Sequence, residues 1–278
     1  MQGAFDAWVG RTEQAIDHIS LVQTRQLAAI LDMDVPEQAI AGLADGGPLP
    51  PLWHWLAFLP AVPMSGLGSD GHPARGGFLP PVPLKRRMWA GGRLQFFAPV
   101  RIGAALERHS EILKVSEKSG GTGRMVFVTV RHQILCDGAL AVSEEQDIVY
   151  VAMPDRFRPP APVAAPETPD WQEDVAVDTV RLFRFSAVTF NAHRIHYDLD
   201  YAQRVEKYPG LVVHGPLQAI LLMQAARRYR GGDWPAAFSF RGVRPAFHTD
   251  QLRLMGVGAA LCTVQGDGLQ CCQAKVSW

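Results

Sequence analysis

Apolar positions are densest from Leu217 to Ala226, where only Gln218 and Gln224 interrupt them. Pro216 stands at the front of this run, Arg227, Arg228 and Arg230 crowd its end, and Gly231-Gly232 stops it. That order of signals predicts a buried helix over 216–230. Helical spacing also appears from about Phe5 to Ile16 and from Gln23 to Leu31, with Leu27, Ile30 and Leu31 on one stripe.

Elsewhere the period shortens. Leu94–Phe97, Leu106–Val115, Met125–Ile134 and Glu144–Val151 are rich in β-branched and aromatic residues, and Gly120-Gly121-Thr122-Gly123 between two of them predicts a turn. Gln251–Met255, Ala260–Val264 and Leu269–Val276 repeat the pattern late in the chain. Such strands at short spacing predict an antiparallel sheet. Asp45 to Gly92 is instead rich in Pro and Gly with Trp53, Trp55, Phe58 and Trp89 interleaved, which predicts short elements wrapped over a surface or pocket.

A run dense in Pro and Ala over 153–170 suits neither helix nor central strand and is the expected linker. It separates a first half, 1–152, from a second, 171–278. Phe97-x-x-Val100-Arg101 is echoed by Phe240-x-x-Val243-Arg244, each followed by strands, so the halves read as an internal duplication.

At 278 residues the chain can bury one large or two fused cores. Its 27 basic and 27 acidic residues balance, giving no nucleic-acid footprint. Cys136, Cys262, Cys271 and Cys272 form no zinc-like CxxC pair, so free thiols in a reducing compartment are expected. With no apolar stretch of membrane-spanning length and no basic flank ahead of an apolar run at the start, the expectation is a soluble cytoplasmic protein without a membrane partner.

The chemistry concentrates between Phe185 and Pro216. Three of the nine histidines, His193, His196 and His214, fall there among Asn191, Arg194 and glycines, a mixture that core packing does not call for. Asn191 and His196 flank the apolar Ile195 at a spacing that suits a bent loop, with Ile195 turned inward and both polar tips to one side. An imidazole takes a proton from water near neutrality, whereas a neutral amide can only hold that water or a departing hydroxyl. His196 is therefore the candidate base and Asn191 the water holder. His193 either assists the proton transfer or holds Asn191. The first free N–H groups of the helix after His214-Gly215 can polarise a carbonyl, and Gly215 lets it approach. His214 shapes that turn, and Tyr197 and Asp198 tie the loop down, with Asp198 a candidate to orient an imidazole. No acidic residue stands at ligand spacing from these histidines, so no metal is expected.

Asn191-x-His193-Arg194-Ile195-His196 resembles the Asp-x-Asn-Pro-aliphatic-His signature of the MaoC-like, or R-specific, enoyl-CoA hydratases. Asn191 stands where that family has aspartate, His193 where it has asparagine and Arg194 where it has proline. Thr189–Asp198 together with Tyr208–Leu217 is similar to a narrower branch, the itaconyl-CoA and mesaconyl-C4-CoA hydratases and the type 2 hydroxyacyl-thioester dehydratases. Pro50–Leu56, Gly71-His72-Pro73, Gly76–Pro81 and Arg86–Gly92 agree with that branch in the first half. The resemblance implies an α+β double hotdog, two fused folds each curling an antiparallel sheet around a central helix. It implies one site per chain, carried by the second half and walled by the first, and hydration of a methyl-branched C4-dicarboxylic enoyl-CoA toward citramalyl-CoA. Coenzyme A is then part of the substrate and no separate cofactor is needed. A homodimer is compatible with the same likeness.

Arg194 beside the base is the candidate to pair a substrate carboxylate, with loop bracing as its alternative. Arg241 and Arg244 are candidates for coenzyme A phosphates or for interdomain salt bridges, and His72 with Lys85-Arg86-Arg87 for the acyl or pantetheine entrance. Three rival readings stay open: a dehydratase of fatty-acid synthesis acting on linear 3-hydroxyacyl thioesters, a hotdog thioesterase, and a non-catalytic acyl-CoA-binding protein.

Overall fold

A computed structural model describes residues 5–32, 44–120 and 123–278. Ten strands form one antiparallel sheet. Five come from the first half: β1 (Thr12–Asp17), β2 (Arg86–Phe96), β3 (Leu106–Gly120), β4 (Gly123–Cys136) and β5 (Ala139–Val151). Five come from the second: β6 (Trp171–Val175), β7 (Ala237–Gly242), β8 (Leu252–Val257), β9 (Ala260–Val264) and β10 (Gln270–Ser277). Their order is β1-β3-β4-β5-β2-β7-β10-β9-β8-β6. Read outward from the centre, the first half runs second, fifth, fourth, third, first strand, and the second half does the same. The duplication is thus written in the topology, with β2 and β7 paired at the seam from Gly91↔Arg241 to Gln95↔Ala237. The motif echo is looser, because Phe97 lies beyond the end of β2 while Phe240 lies within β7.

At the seam the strands lie too close for a side chain. A β-carbon on Gly91 would meet the Phe240 carbonyl oxygen at 2.4 Å. The register between β2 and β5 also slips there, Trp89 facing Ile148 and Gly91 facing Asp147, so Ala90 is an extra residue in a bulge.

Helix α1 (Leu21–Ile30) begins at a capping box made by Ser20 and Gln23. It packs on α2 (Thr179–Val188), whose first turn is capped by the Asp178 carboxylate. After the short α3 (Leu199–Arg204), α4 (Gly215–Tyr229) is the long central helix, every residue from Leu217 to Ala226 buried against β8, β9, β10 and β2. In the first half a 3-10 turn at Trp53–Leu56 follows α1, with Leu52, Trp53 and Leu56 sealed into the same core as Leu27, Phe185 and Leu217.

The predicted helix over Phe5–Ile16 is absent. A 3-10 turn at Asp6–Trp8 leads into β1, an edge strand whose only partner, β3, lets both faces stay polar or exposed; Ile16 itself is 82% exposed. Periodicity had no buried stripe to report there. Of the predicted turn at 120–123, Gly121 and Thr122 lie outside the described residues, while Gly120 and Gly123 face each other at the ends of β3 and β4.

Candidate active site

The loop between α2 and α3 carries the site. Phe190 turns the chain with φ +48, and the Asn191 N–H donates to the Ser186 carbonyl at 2.8 Å, so the loop folds back over the end of α2. Ile195 anchors it, buried with Tyr201, Tyr208, Val212 and Phe247. A 3-10 turn at Arg194–His196 then carries His196 inward, where it is buried.

His196 Nδ1 lies 2.7 Å from the Val212 carbonyl oxygen, which can only accept. Nδ1 therefore carries the proton, and Nε2 keeps its lone pair. Burial holds the His196 pKa well below the ordinary imidazole value, helped by the neighbouring His214 and His193 rings, so the ring is neutral near pH 7 and competent as a base. The His214 ring stacks on it at 3.7 Å and reaches Ser186 Oγ at 2.9 Å through Nε2, while its Nδ1 is buried without a hydrogen-bond partner. Burial, and then His193, lower the His214 pKa to about 3.

His193 completes the cluster, 5.4 Å from the His196 ring centroid and edge-on to it. Its Nε2 is 3.6 Å from Glu206 Oε1, and Glu206 forms a buried ion pair with Arg86 at 2.9 Å. The His193 backbone N–H donates to Asn191 Oδ1 at 3.0 Å, so the Asn191 amide nitrogen is the donor left for the cavity.

That cavity, about 730 Å³, runs between the halves. Asn191, Ala192, Ser186, Phe190 and Pro216 form one wall, with Pro216 in the first turn of α4, where Gly215 also lies. His196, His193 and His214 are not part of this wall, though His214 reaches it through Ser186. Opposite, the first half contributes Trp55, Trp89, Ile134 and a buried polar network: His54 Nε2 and Trp55 Nε1 each lie 3.0 Å from the Glu144 carboxylate, and Gln146 donates to it at 2.9 Å. Burial opposes ionisation of Glu144, but His54, His132 and Gln146 together lower its pKa. Nothing local in the sequence marked this network, because its members come from a 3-10 turn and from β5.

Of the two readings of Arg194, the contacts fit loop bracing. Arg194 is not part of the cavity wall; its guanidinium is held by Asp198 at 2.7 Å and by the Ser69 carbonyl at 3.1 Å, over the Tyr201 ring. That leaves Asp198 facing Arg194 and capping α3 rather than orienting an imidazole. Arg241 donates to Gln273 beside a separate concavity over the β2–β7 seam, and Arg244 pairs with Asp267. The cations that do reach the cavity among the described residues are Arg87 and Arg108. No group of three or more His, Cys, Asp or Glu side chains suited to a metal ion occurs among the described residues.

A second loop docks onto the first. Arg194 N–H donates to the Asp70 carbonyl at 3.0 Å, and Gly71, with φ +89, comes so close to Ala192 that a β-carbon would lie 1.8 Å from its carbonyl oxygen. His72 follows, its ring 4.1 Å from His193 and its Nδ1 3.2 Å from Asp70 Oδ2. Unlike the other three clustered rings, His72 lines the cavity.

Residues 52–248 match the family model of hydroxyacyl-thioester dehydratase type 2. The chain is 50% identical over 250 residues to a mesaconyl-C4-CoA hydratase of Chloroflexus aurantiacus, covering 90% of this chain and 87% of that protein. It is 29% identical to the mitochondrial hydroxyacyl-thioester dehydratase type 2 of Schizosaccharomyces pombe, over 86% of this chain and 87% of that one. Among solved structures, a MaoC-like dehydratase superposes with a TM-score of 0.72 at 13% identity, over 99% of this chain and 100% of its own. A Mycobacterium tuberculosis protein described as a double hotdog superposes at 0.59 and 15% identity, over 96% and 95%.

Proposed function

The chain belongs to the hydroxyacyl-thioester dehydratase type 2 family, with an α+β double hotdog fold, and from that premise we propose that it hydrates a methyl-branched C4-dicarboxylic enoyl-CoA, mesaconyl-C4-CoA or itaconyl-CoA, reversibly to citramalyl-CoA. It is a hydro-lyase. The observation that carries the reading is the shared wall: Asn191 and the first turn of α4 border one cavity, and the loop that bears Asn191 also bears a neutral His196 whose Nε2 keeps its lone pair.

In this reading the thioester carbonyl sits against the free N–H at Gly215, which draws charge from the double bond. The Asn191 amide nitrogen donates to the oxygen of the water and so holds it. His196 Nε2 takes one proton as the oxygen bonds to the β-carbon, and the π pair moves onto the α-carbon and thioester. The imidazolium returns the proton to the α-carbon. Dehydration runs the same steps backward. The free carboxylate of the substrate is paired by Arg87, which borders the cavity, rather than by Arg194, which Asp198 already neutralises. A cytoplasmic setting belongs to the same proposal; it is supported by four buried free cysteines, and cell fractionation checks it.

The experiment is a hydration assay over mesaconyl-C4-CoA, itaconyl-CoA, crotonyl-CoA and a medium-chain enoyl-CoA. His196→Ala and Asn191→Ala lower turnover by about a hundredfold or more. Arg87→Met raises KM for the dicarboxylic esters roughly tenfold or more and leaves crotonyl-CoA unchanged. A strong wild-type preference for linear esters removes the dicarboxylate assignment, release of free thiol points to a thioesterase, and variants as active as wild type remove the site.

A further inference from the structure

A water molecule poised for attack offers two hydrogens, and His196 Nε2 can accept only one. The signature that this loop resembles has an aspartate, whose carboxylate can accept, where this chain has Asn191. An amide whose oxygen is engaged by the His193 N–H turns a donor to the cavity, so it cannot do the same work.

We propose, building on the hydratase reading, that His72, oriented by Asp70, is a second catalytic residue: it accepts the other hydrogen of the attacking water and so replaces, from the opposite half of the chain, the carboxylate the signature lacks here. Four observations meet in it. His72 lines the cavity that Asn191 lines. Its ring is 4.1 Å from His193, which abuts His196. Asp70 Oδ2 at 3.2 Å from Nδ1 fixes the tautomer with the proton on Nδ1 and the lone pair on Nε2. The loop that carries both is locked to the catalytic loop through Gly71 and Arg194, so His72 is placed by backbone contacts and not by a flexible tether.

Atoms balance without any added reagent. One O–H bond of water breaks, its proton going to His196 and on to the α-carbon; the C–O bond forms at the β-carbon; the second hydrogen, held by His72 Nε2 during attack, stays on the new hydroxyl. In reverse, His72 steadies the hydroxyl as it departs. The charged and titratable groups facing His72 are Asp70 on its own loop, Arg87 on β2, and His193 with His196 beyond it on the catalytic loop. Burial comes first in lowering its pKa to about 4, Asp70 opposing, which keeps the ring an acceptor at neutral pH. Burial also resists the charge on Asp70, yet the His72 hydrogen bond and charge prevail and hold that carboxyl well below its usual range.

The test compares wild type with His72→Asn and Asp70→Asn on whichever ester of the panel the wild type hydrates. His72→Asn lowers kcat about a hundredfold, with KM within about threefold and the melting temperature within a few degrees. Asp70→Asn lowers kcat about tenfold and moves the acid limb of the kcat profile to lower pH, because the carboxylate no longer raises the His72 pKa. A His72→Asn enzyme with wild-type kcat, or one whose melting temperature falls along with activity while Asp70→Asn leaves the pH profile fixed, overturns the proposal and leaves the hydratase reading standing. A wild type that hydrates no ester of the panel overturns both.

Discussion

Replacing Gly71 by alanine would drive a methyl group into the backbone of the catalytic loop. The added carbon would lie 1.8 Å from the Ala192 carbonyl oxygen and 2.8 Å from its carbon. Carbon and carbonyl oxygen rest at roughly 3.3 Å, so the two loops must part by about 1.5 Å. The residue also sits at φ +89, where an L side chain adds strain on the order of 1–2 kcal/mol. If the loops hold together, overpacking adds about 1–3 kcal/mol, and the total penalty is on the order of 2–5 kcal/mol, which for a chain of this size lowers Tm by about 10 °C. If they part, the hydrogen bond from Arg194 N–H to the Asp70 carbonyl is lost at about 1 kcal/mol. Stability then falls less, but His72 moves away from His193 and turnover falls instead. Thermal melts followed by circular dichroism, paired with initial rates of hydration, distinguish the two outcomes. A Gly71→Ala protein with Tm within about 2 °C of wild type and unchanged kcat would refute the reasoning, since it would mean that the loops are not in contact.

Ser186→Ala removes the one hydrogen-bond partner of the buried His214 ring and should cost about 1–3 kcal/mol in urea unfolding; equal stability would show the hydroxyl to be idle. Acid should destabilise the fold early. Burial comes first in lowering His72 and His132 to about 4 and His214 to about 3, below the roughly 6.5 of an unfolded imidazole. These groups cost nothing above that pH. Below it the unfolded chain binds protons that the folded one refuses, so stability falls as pH drops from about 6.5 toward 4, with a slope of up to roughly 1.4 kcal/mol per unit for each ring. Melts at pH 7, 6, 5 and 4.5 check this, and a flat Tm down to pH 5 contradicts it.

Helix α4 and the loop from Phe190 to Asp198 were legible in the sequence because their signals are local. Pro216 and Gly231 bracket one apolar run, and Asn191, Ile195 and His196 sit within one turn of chain. Strands β3, β4, β5, β8, β9 and β10 were legible too, in their β-branched and aromatic residues, whereas β6 and β7 carried no such run and were not read. β1 was not, because an edge strand with Ile16 in solvent buries no stripe. Arg194 left two readings open: its chemistry suits a carboxylate, but which carboxylate depends on the 3-10 turn that brings Asp198 back to it. The meeting of His72 with His193, and the His54–Glu144 network, needed residues roughly a hundred positions apart to come together. Short motifs cannot state such meetings, although Gly71-His72-Pro73 did mark the right loop.

The seam between β2 and β7 sits at the middle of the sheet, so its raw hydrogen-bonding edges exist only if the chain is cut. Either half released alone would present a bare strand, β2 or β7, with nothing to cover it and every reason to find another copy. Covalent fusion thus does more than keep two pieces together: it hides the adhesive margin of each inside the other. A gene encoding just the portion that bears Asn191 and His196 would yield aggregate before it yielded enzyme.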